Sequence, residues 1–495
     1  MVVGTMSHCG KSLVAAALCR LFSRKGVNVA PFKAQNMALN SFVTREGGEI
    51  GRSQAVQARA AGIDPHTDMN PVLLKPVGAA SSQVIVNGQP IGNFSVREYY
   101  DMKARMRTAA EQAYDRLAQR VDVIILEGAG SPAEINLQEE DFVNMAMAEY
   151  AKAVVVLVAD IDRGGVFASV FGTLSLLPPE HRHLLRGVII NKFRGDKTLL
   201  EPGLRQIESL TDVPVLGVLP FMHNLHIEDE DSLGLEDRQR TEQAIVDIVV
   251  IRLPWISNYT DFLALETTEG VSLRYESDPG HLGETDLIII PGTKNTCSDL
   301  RHLHKSGWAA AVSDAESRGI PIFGICGGYQ MLGNRVVDPT GIEDEAGEEI
   351  GLNLLPLITV LEPHKELAQV EGKTGAGLPF IRPDTRFNGY EIHTGRTFAS
   401  TPITAPLTIT QRRRDSVDEK AGAVSENGLV FGCYVHGLFD SSSCREQLLD
   451  WLCKRKGIEP WTWHQQQPAD GDLDRVADLL EEHLDMTRLE DMMSR

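Results

Sequence analysis

The stretch Gly4-Thr5-Met6-Ser7-His8-Cys9-Gly10-Lys11-Ser12 follows a short apolar start and opens a helical pattern over residues 11–25. The backbone N–H groups of such a glycine loop point at anionic oxygens, and the dipole of the following helix strengthens the attraction. The pattern predicts a phosphate-binding loop in which Lys11 reaches the terminal phosphates of a nucleotide and Ser12 ligates Mg²⁺. The loop is one residue longer than the usual pattern, so an ordinary glycine turn is the alternative interpretation. The predicted nucleotide-binding residues here are Gly4, Thr5, Gly10, Lys11 and Ser12.

Short apolar runs alternate with longer amphipathic segments downstream of this loop. Helical patterns occupy residues 11–25 and 96–120, and strand-length apolar runs occupy residues 27–32, 121–126, 153–158, 187–191 and 215–218. This alternation is typical of βαβ units that build a parallel sheet. We therefore predict an α/β parallel-sheet domain over residues 1–235.

Two polar residues stand at the ends of predicted strands in this domain. Glu127 follows the apolar run over residues 121–126, and Asn191 ends the run over residues 187–191. Open α/β sheets bind ligands outside the carboxyl ends of their strands. Glu127 is therefore a predicted Mg²⁺ ligand, and Asn191 a predicted nucleotide contact. For each residue, an ordinary exit from a strand into a loop is the alternative.

A second series of apolar runs begins after a polar, charged stretch. The stretch covers residues 227–242, and the later runs lie at residues 245–252, 286–291, 320–324 and 429–434. We interpret the polar stretch as a linker; a solvated loop inside one domain is the alternative. The prediction is a second α/β domain over residues 247–455, followed by a helical tail over residues 456–495.

The segment Pro321-Ile322-Phe323-Gly324-Ile325-Cys326-Gly327-Gly328-Tyr329-Gln330-Met331-Leu332-Gly333 carries the sharpest signal in the chain. An apolar strand runs into Cys326, glycines lie close on both sides, and a helical pattern follows. A sharp turn from strand to nucleophile to helix needs glycines because its backbone is strained and crowded. The start of a helix also favours the reactive thiolate. Cys326 is therefore the predicted nucleophile.

A nucleophilic thiolate works with a base and with hydrogen-bond donors for the oxyanion. His436, which follows the apolar run over residues 429–435, is the favoured base, and His393 is the second candidate. The predicted oxyanion donors are the backbone N–H groups of Gly327, directly after the nucleophile, and of Gly292, in the loop over residues 291–296.

Composition narrows the class of protein. The chain has 495 residues and a formal net charge of −20, and aromatic residues make up only 6%. Such acidity and so few aromatic side chains argue against a surface built for nucleic acid or for anionic lipid. No apolar run is long enough to span a membrane, no signal peptide precedes the glycine loop, and none of the seven cysteines forms a Cys-x-x-Cys pair. These features predict a cytoplasmic protein without a zinc site or a disulfide framework.

The two halves resemble two known enzyme groups. The loop at residues 4–12, the Glu127-Gly-Ala-Gly stretch and Asn191 together resemble dethiobiotin synthetase-like ATPases, which activate a carboxylate by phosphorylation. The Gly-Ile-Cys-x-Gly-x-Gln string around Cys326 resembles the nucleophile motif of class I glutamine amidotransferases. That group usually has His-Pro-Glu, whereas this chain has His436-Gly437-Leu438. A Cys–His dyad, or a carboxylate from elsewhere in the chain, must then complete the site.

Longer strings resemble the cobyric acid synthases, a family of cobalamin-pathway amidotransferases that joins both halves. They lie at residues 32–41, 49–54, 69–76, 160–167, 256–262, 291–296 and 389–396. The resemblance spans most of residues 1–439. It implies ATP- and glutamine-dependent amidation of the b, d, e and g carboxylates of adenosylcobyrinic acid a,c-diamide, which gives adenosylcobyric acid. ATP and Mg²⁺ are the implied cofactors, and glutamine and an adenosylated corrinoid are the implied partners.

Early polar residues are candidates for the corrinoid's carboxylate and amide arms. Helix capping and surface polarity are the alternative roles, and Gln54 stands roughly where dethiobiotin synthetase has a second metal-binding aspartate. The predicted substrate contacts are Lys33, Asn36, Asn40, Arg52 and Gln54.

Three rival functions remain open. Two use the same two-domain plan on another acid: cobyrinic acid a,c-diamide synthase and the lipid II amidating complex. The string over residues 32–41 disfavours both. The third is a ParA-like regulatory ATPase with an inactive amidotransferase domain. ParA-like proteins carry a second, early lysine in the loop, whereas this chain has Thr5-Met6-Ser7 there.

Overall fold

The structure, a computed structural model, describes residues 1–77, 81–138, 141–223, 225, 227–228, 244–343, 346–459, 461–465 and 469–494. Residues 229–242, which are most of the predicted linker, therefore lie outside the described part of the chain. Within the described ranges, no helix is both long enough and apolar enough to cross a membrane.

The N-terminal half contains twelve strands and eight helices among its described residues. The strands are β1 (Val2–Gly4), β2 (Val29–Phe32), β3 (Gln35–Met37), β4 (Ser41–Val43), β5 (Glu49–Gly51), β6 (Val72–Pro76), β7 (Ser81–Val86), β8 (Gln89–Ser95), β9 (Val123–Leu126), β10 (Val155–Asp160), β11 (Leu185–Phe193) and β12 (Val215–Pro220). The helices are α1 (Lys11–Arg24), α2 (Arg52–Ala60), α3 (Val96–Asp101), α4 (Lys103–Ala118), α5 (Met145–Tyr150), α6 (Val166–Leu176), α7 (Pro179–Arg182) and α8 (Lys197–Thr211).

A parallel sheet forms the centre of this half. The strand order is β1-β10-β11-β12, and a bridge between Val2 and Glu127 joins β1 to the parallel pair β2-β9. Its strands are short apolar runs that bury both faces, as expected for a sheet covered by helices on both sides. The predicted strand runs are all present here, whereas the helical pattern predicted over residues 96–120 is two helices, α3 and α4.

A second, smaller sheet lies beside the parallel one. Strands β3, β6, β7 and β8 form it, with antiparallel pairing from β6 onward, and β4 and β5 form a separate antiparallel pair. Helix α2 follows β5 directly, and eight of its nine residues are buried. This helix therefore runs through the interior of the protein.

The C-terminal half contains thirteen strands and seven helices among its described residues. The strands are β13 (Val246–Ile251), β14 (Val271–Glu276), β15 (Leu287–Ile290), β16 (Ile322–Ile325), β17 (Arg335–Asp338), β18 (Gly347–Ile350), β19 (Leu357–Thr374), β20 (Arg386–Ala399), β21 (Leu407–Arg412), β22 (Asp415–Ala421), β23 (Ala423–Val424), β24 (Val430–Cys433) and β25 (Val435–His436). The helices are α9 (Leu263–Glu266), α10 (Thr296–Ser306), α11 (Trp308–Ser317), α12 (Gly327–Met331), α13 (Ser442–Arg455), α14 (Ala469–His483) and α15 (Met486–Met493).

Two sheets meet in this half. The first has the order β14-β13-β15-β16-β24-β23 and is parallel except for β23. The second has the order β18-β17-β19-β20-β25, and two long strands, β19 and β20, pair antiparallel along it. The chain passes from β24 of the first sheet to β25 of the second within two residues. His436, the last residue of β25, therefore lies where the two sheets join.

The two halves pack against each other through apolar and charged groups. Glu49 of the N-terminal half is fully buried and lies 2.8 Å from Lys75 of the same half and 2.5 Å from Lys365 of the other. A buried carboxylate is stable only when it is paired in this way. A small apolar cluster also crosses the boundary and contains Val43, Leu367, Tyr390 and Ile392.

The last helices return to the N-terminal half. Helix α14 packs on α1, with Leu473 and Val476 in the same apolar core as Val14. Arg20 of α1 pairs with Asp474 of α14 at 2.7 Å. Helices α14 and α15 of the predicted tail therefore form a packed layer on the nucleotide-binding half. By contrast, residues 456–459 and 461–465 are not helical and contact the C-terminal half, with Lys456 bonded to Asp286 and Trp463 to Asp450.

Candidate active site

Cys326 stands between strand β16 and helix α12, as the sequence predicts. Its backbone has φ 53° and ψ −110°, a conformation that residues other than glycine rarely adopt. The residue is 7% exposed, and its Sγ lies 3.3 Å from the carbonyl oxygen of Ile392. Strain held at a single residue by well-packed surroundings is typical of a nucleophile at a sharp turn.

The glycines around the nucleophile are required by close packing. A Cβ on Gly328 would lie 1.9 Å from the carbonyl oxygen of Ile290, and one on Gly324 would lie 2.7 Å from the backbone of Gly328. A side chain on Gly328 would push helix α12 away from strand β15, and one on Gly324 would push strand β16 away from helix α12. The two glycines therefore let strand β16 and helix α12 approach closely enough to form the turn.

His436 is paired with a carboxylate that the sequence analysis did not identify. Its Nδ1 atom lies 2.6 Å from Oδ2 of Asp261, and the imidazole is completely buried. Its Nε2 atom makes no hydrogen bond within the described part of the chain. Burial alone favours the neutral ring, but Asp261 and the adjacent Cys326 outweigh it and raise the pKa of His436 to about 10.

Asp261 takes the place of the glutamate that is absent after His436. It lies in a short 3-10 turn over Tyr259–Phe262, within one of the strings that carry the family resemblance. It precedes His436 by 175 positions, so no local spacing could indicate the pairing. Only the packing of this turn against strand β25 reveals the third member of the site.

His393, the second candidate for the base, has surroundings different from those of His436, and the choice between the two stays a prediction. His393 lies with its ring stacked on Tyr434 at 3.7 Å between centroids, and its Nδ1 atom lies 3.2 Å from the carbonyl oxygen of Gly395. Burial lowers the pKa of His393 to about 3. No carboxylate comparable to Asp261 is bonded to its ring among the described residues.

Both predicted oxyanion residues lie next to the Cys–His pair. A Cβ on Gly292 would come within 3.3 Å of Cε1 of His436 and 3.7 Å of Cβ of Cys326. Gly327 is the first residue of helix α12, and N–H groups in a first helical turn have no acceptor within the helix. The geometry is compatible with both residues as donors, and their role stays a prediction.

A change of Asp261 to asparagine should move the pH dependence of glutamine hydrolysis. The carboxylate holds a proton on His436, so the imidazolium that protonates the departing nitrogen persists below the pKa of His436 and is lost above it. Without the negative charge that pKa falls, and the basic limb of kcat/KM for glutamine should shift to lower pH. We also expect a fall in rate of about 10²-fold, because the ring loses its fixed orientation. Glutamate release measured against pH tests both effects.

The matched control for this prediction is Asp450→Asn. Asp450 accepts a hydrogen bond from Trp463 in the same half and should leave the pH profile in place. A basic limb that stays at the same pH in Asp261→Asn would contradict the assignment of Asp261 as the partner of His436.

The predicted phosphate-binding loop connects strand β1 to helix α1. Lys11 is buried, and its Nζ atom donates to the carbonyl oxygens of Met6 at 2.9 Å and Gly130 at 3.0 Å. Gly10 has φ +101°, and a Cβ there would lie 2.1 Å from the side chain of Asn191. The loop therefore needs glycine at this position both for its backbone and for the space that Asn191 fills.

Glu127 lies at the centre of a buried hydrogen-bond network. Its Oε1 atom accepts from Ser12 at 2.8 Å and from Lys33 at 3.0 Å, and its Oε2 atom accepts from Gln57 at 2.6 Å. Gln54 is a further donor at 3.4 Å. Burial would raise the pKa of Glu127, but Lys33 and the donors outweigh it and keep that pKa below its ordinary value. The carboxylate therefore stays charged beside the loop.

Gln57 is a second residue that the sequence analysis missed. It lies three positions after Gln54 on helix α2, and side chains at this spacing share one face of a helix. That spacing is the signal that could have identified it, once Gln54 had been considered as a neighbour of the predicted metal ligand Glu127.

A cavity of about 910 Å³ opens beside this network. That volume is within the range of sites for ligands of nucleotide size. Predicted residues that line it are Gly10, Lys11, Ser12, Lys33, Asn36 and Glu127. The fold therefore brings six of the predicted nucleotide, metal and substrate residues to one cavity.

Other predicted residues lie away from the cavity lining. Thr5 follows strand β1, with its N–H bonded to the carbonyl oxygen of Val158 at 3.0 Å, and Gly4 ends that strand. Asn191 supports the loop from behind, with its amide donating to the carbonyl oxygen of Cys9 at 2.9 Å. Their contacts with a nucleotide stay predictions.

The predicted substrate residues divide into two groups. Lys33 and Asn36 line the cavity, and Gln54 lies behind Asn36, whose amide donates to it at 2.9 Å. Asn40 is buried, and its carbonyl oxygen accepts from the N–H of Arg52. The Arg52 side chain points to the C-terminal half, where it donates to the Tyr390 hydroxyl at 2.6 Å.

Two family profiles match the chain, one in each half. Residues 1–233 match the CobQ/CobB/MinD/ParA nucleotide binding domain. Residues 247–444 match the CobB/CobQ-like glutamine amidotransferase domain. The loop at residues 4–12 therefore lies in the part described as a nucleotide binding domain, and Cys326 lies in the part described as a glutamine amidotransferase domain.

Curated relatives extend along the whole chain. A protein named cobyric acid synthase from Pelotomaculum thermopropionicum is 47% identical over 499 residues, which cover 99% of this chain and 95% of that protein. One of the same name from Yersinia enterocolitica is 47% identical over 507 residues, which cover 100% of this chain and 98% of that protein. Among solved structures, one titled PurLQS from Thermotoga maritima aligns with 42% of this chain and 99% of its own, at 21% identity and a TM-score of 0.33.

Proposed function

The chain belongs to the cobyric acid synthase family, and on this premise we propose that it amidates a corrinoid polycarboxylate with ammonia taken from glutamine. The proposed substrate is adenosylcobyrinic acid a,c-diamide. Four carboxylates, b, d, e and g, each become an amide at the cost of one glutamine and one ATP. The product is adenosylcobyric acid.

One observation carries this proposal. A buried Cys326 site, with His436 bonded to Asp261 at 2.6 Å, occurs in the same chain as a phosphate-binding loop bonded to Glu127. The first arrangement releases ammonia from an amide, and the second suits phosphoryl transfer. Amide formation from glutamine and ATP needs both reactions, whereas a regulatory ATPase needs only the second.

Hydrolysis of glutamine is proposed to proceed through a thioester on Cys326. The thiolate attacks the carboxamide carbon, and the N–H groups of Gly292 and Gly327 bind the oxyanion that forms. His436 transfers its proton to the departing nitrogen, which leaves as ammonia. His436 then takes a proton from water, the resulting hydroxide attacks the thioester, and glutamate leaves with Cys326 as thiolate again.

Activation of the corrinoid is proposed to occur in the cavity beside Lys11. A substrate carboxylate oxygen attacks the γ-phosphorus of ATP, giving an acyl phosphate and ADP. Ammonia then attacks the acyl carbon, loses a proton, and displaces phosphate. Phosphoryl transfer depends mainly on positioning and on neutralising charge. Lys11 supplies a neutralising positive charge once phosphate oxygens replace the carbonyl oxygens that it now contacts. Lys33 adds a second positive charge on the same cavity.

The residues at the loop fit a magnesium ion. Ser12 Oγ and a charged carboxylate oxygen of Glu127 lie 2.8 Å apart at the edge of the cavity, and Mg²⁺ prefers such oxygen ligands together with phosphate oxygens. We propose Ser12 and Glu127 as its protein ligands, the second directly or through water. When bound, the ion neutralises phosphate charge during the transfer.

A direct assay of acceptors tests the proposal. The protein is incubated with ATP, Mg²⁺, glutamine and either adenosylcobyrinic acid a,c-diamide or cobyrinic acid, and the products are identified by mass spectrometry. We expect stepwise conversion of the a,c-diamide until four further amides are present. An unchanged a,c-diamide together with amidated cobyrinic acid would favour an a,c-diamide synthase and overturn the substrate assignment.

A further inference from the structure

A side chain from the N-terminal half contacts the glutamine-hydrolysing site of the C-terminal half. Arg52 Nη2 donates to the hydroxyl of Tyr390 at 2.6 Å, and that hydroxyl donates to Oδ1 of Asp261 at 3.4 Å. The other oxygen of Asp261 holds His436. A continuous line of hydrogen bonds therefore runs from Arg52 to the base.

Tyr390 also holds the imidazole of His436 by direct contact. The two rings stack with their centroids 4.9 Å apart and their planes inclined by 11°. Tyr390 lies opposite His436 in the pairing of strands β20 and β25. The tyrosine thus constrains the base from the face of its ring and, through Asp261, at its Nδ1 atom.

Arg52 is itself firmly held. The residue is 8% exposed, its guanidinium lies 5.5 Å from the ring centres of both Phe42 and Tyr390, and Nη1 lies 3.5 Å from Oε2 of Glu228. A guanidinium surrounded in this way has a fixed direction, so it can fix the hydroxyl that it contacts.

The helix that carries Arg52 also reaches the nucleotide site. Arg52 is the first residue of helix α2, and Gln57, five positions later, donates to Glu127 at 2.6 Å. Backbone hydrogen bonds hold the nine residues of this helix at fixed positions relative to one another, and the packed interior around them does not absorb a displacement by deforming continuously. A shift of α2 at the Glu127 end would therefore reach Tyr390.

We propose that Arg52 is a positioning residue for the hydrolysis of glutamine. It acts from the N-terminal half through Tyr390 on Asp261 and His436. Through Arg52, the alignment of Asp261 and His436 depends on the position of helix α2 at the nucleotide site. This inference rests on the proposed function of the Cys326 site. The sequence suggested that Arg52 binds the corrinoid, and this inference gives it a different role.

The first test measures glutamate release in the absence of corrinoid. In Arg52→Ala, kcat for glutamine should fall about 10- to 100-fold, as expected when a catalytic group is slightly misplaced, with little change in KM. Ammonia-dependent amidation and its KM for the corrinoid should stay at wild-type values. Arg59→Ala is the matched control: Arg59 lies on the same helix and contacts the same Glu228 at 2.8 Å, and it should leave kcat unchanged.

A double-mutant cycle tests the route through Tyr390. Tyr390→Phe keeps the ring that stacks on His436 and removes the hydroxyl that joins Arg52 to Asp261. If Arg52 acts through that hydroxyl, the pair Arg52→Ala/Tyr390→Phe should lose little more than either single variant. Losses that multiply would show that the two residues act independently and would overturn the proposed route.

Nucleotide dependence tests the link through helix α2. The glutaminase kcat of the wild-type protein should change when a non-hydrolysable ATP analogue and Mg²⁺ are added, and the change should disappear in Arg52→Ala and persist in Arg59→Ala. An equal response in wild type and Arg52→Ala would overturn this link.

The remaining outcomes separate this inference from the proposed function. A raised KM for the corrinoid in Arg52→Ala, with unchanged glutamate release, would return Arg52 to substrate binding and overturn the inference while the proposed function stands. Glutamate release without amidation of any corrinoid would contradict the proposed acceptor, yet the effect of Arg52→Ala on glutamate release would still be measurable.

Discussion

Replacing Cys326 with alanine is expected to abolish amide formation from glutamine while amide formation from ammonia persists. The sulfur is the proposed nucleophile, and loss of a nucleophile lowers turnover by roughly 10³-fold or more. Ammonia added to the medium bypasses this step, because the acyl phosphate is proposed to form at the loop in the other half of the chain. Initial rates with saturating glutamine and with an ammonium salt, together with glutamate release, measure both effects.

The matched control is another buried thiol next to the same strand. Cys433 lies opposite Ile325 in the pairing of β16 and β24, and its Sγ faces the carbonyl oxygen of Val435 at 3.6 Å. Cys433→Ala should therefore keep most of the glutamine-dependent rate. If Cys326→Ala lost both activities equally while its thermal unfolding midpoint stayed unchanged, the separation of the two sites would be wrong.

Replacing Lys11 with alanine is expected to stop amide formation from glutamine and from ammonia alike. The Lys11 ammonium group is proposed to neutralise the phosphates, and removal of one preorganised donor costs roughly 10²- to 10³-fold in rate. Glutamate release without nucleotide should continue, because Cys326 and His436 lie in the other half. Product amide and ADP, measured with each nitrogen source, give the two rates.

Lys25→Ala controls for the loss of a lysine from the same helical region. Lys25 directly follows helix α1 and pairs at the surface with Glu490 at 2.5 Å, so its removal should leave both activities in place. Wild-type amidation from ammonia in Lys11→Ala would contradict the assignment of the loop to phosphoryl transfer.

Local sequence predicted the two reactive centres because each is built from neighbouring residues. Lys11 and Ser12 follow Gly10, whose positive φ shapes the loop, and Cys326 lies between glycines that permit close packing. A strand, a glycine turn and a helix in direct succession determine such a site with little help from the rest of the chain. The parallel cores were predictable for a related reason, since strands buried on both faces are continuous apolar runs.

The partners of these centres could not be predicted in the same way. Asp261 and His436 are hydrogen-bonded although they lie 175 positions apart in the sequence, and Arg52 and Tyr390 although they lie 338 positions apart. Such pairs depend on strand register and on the packing of the two halves, neither of which leaves a periodic pattern in the sequence. The role predicted for Arg52 followed its polarity and its early place in the chain, neither of which indicates the contact of its guanidinium with Tyr390 of the C-terminal half.

By itself, the sequence determined two α/β halves, a phosphate-binding loop and a strained cysteine turn. Only the tertiary structure decided the antiparallel sheets and the packing of helix α14 on α1. Two strands of those sheets, β8 and β22, carry mixed or polar side chains and contain no apolar run. The tertiary structure also decided that Asp261 is hydrogen-bonded to His436 beside Cys326. Local backbone geometry and buried apolar runs are properties of adjacent residues, whereas a buried charge is stable only beside a partner that the folded chain brings to it.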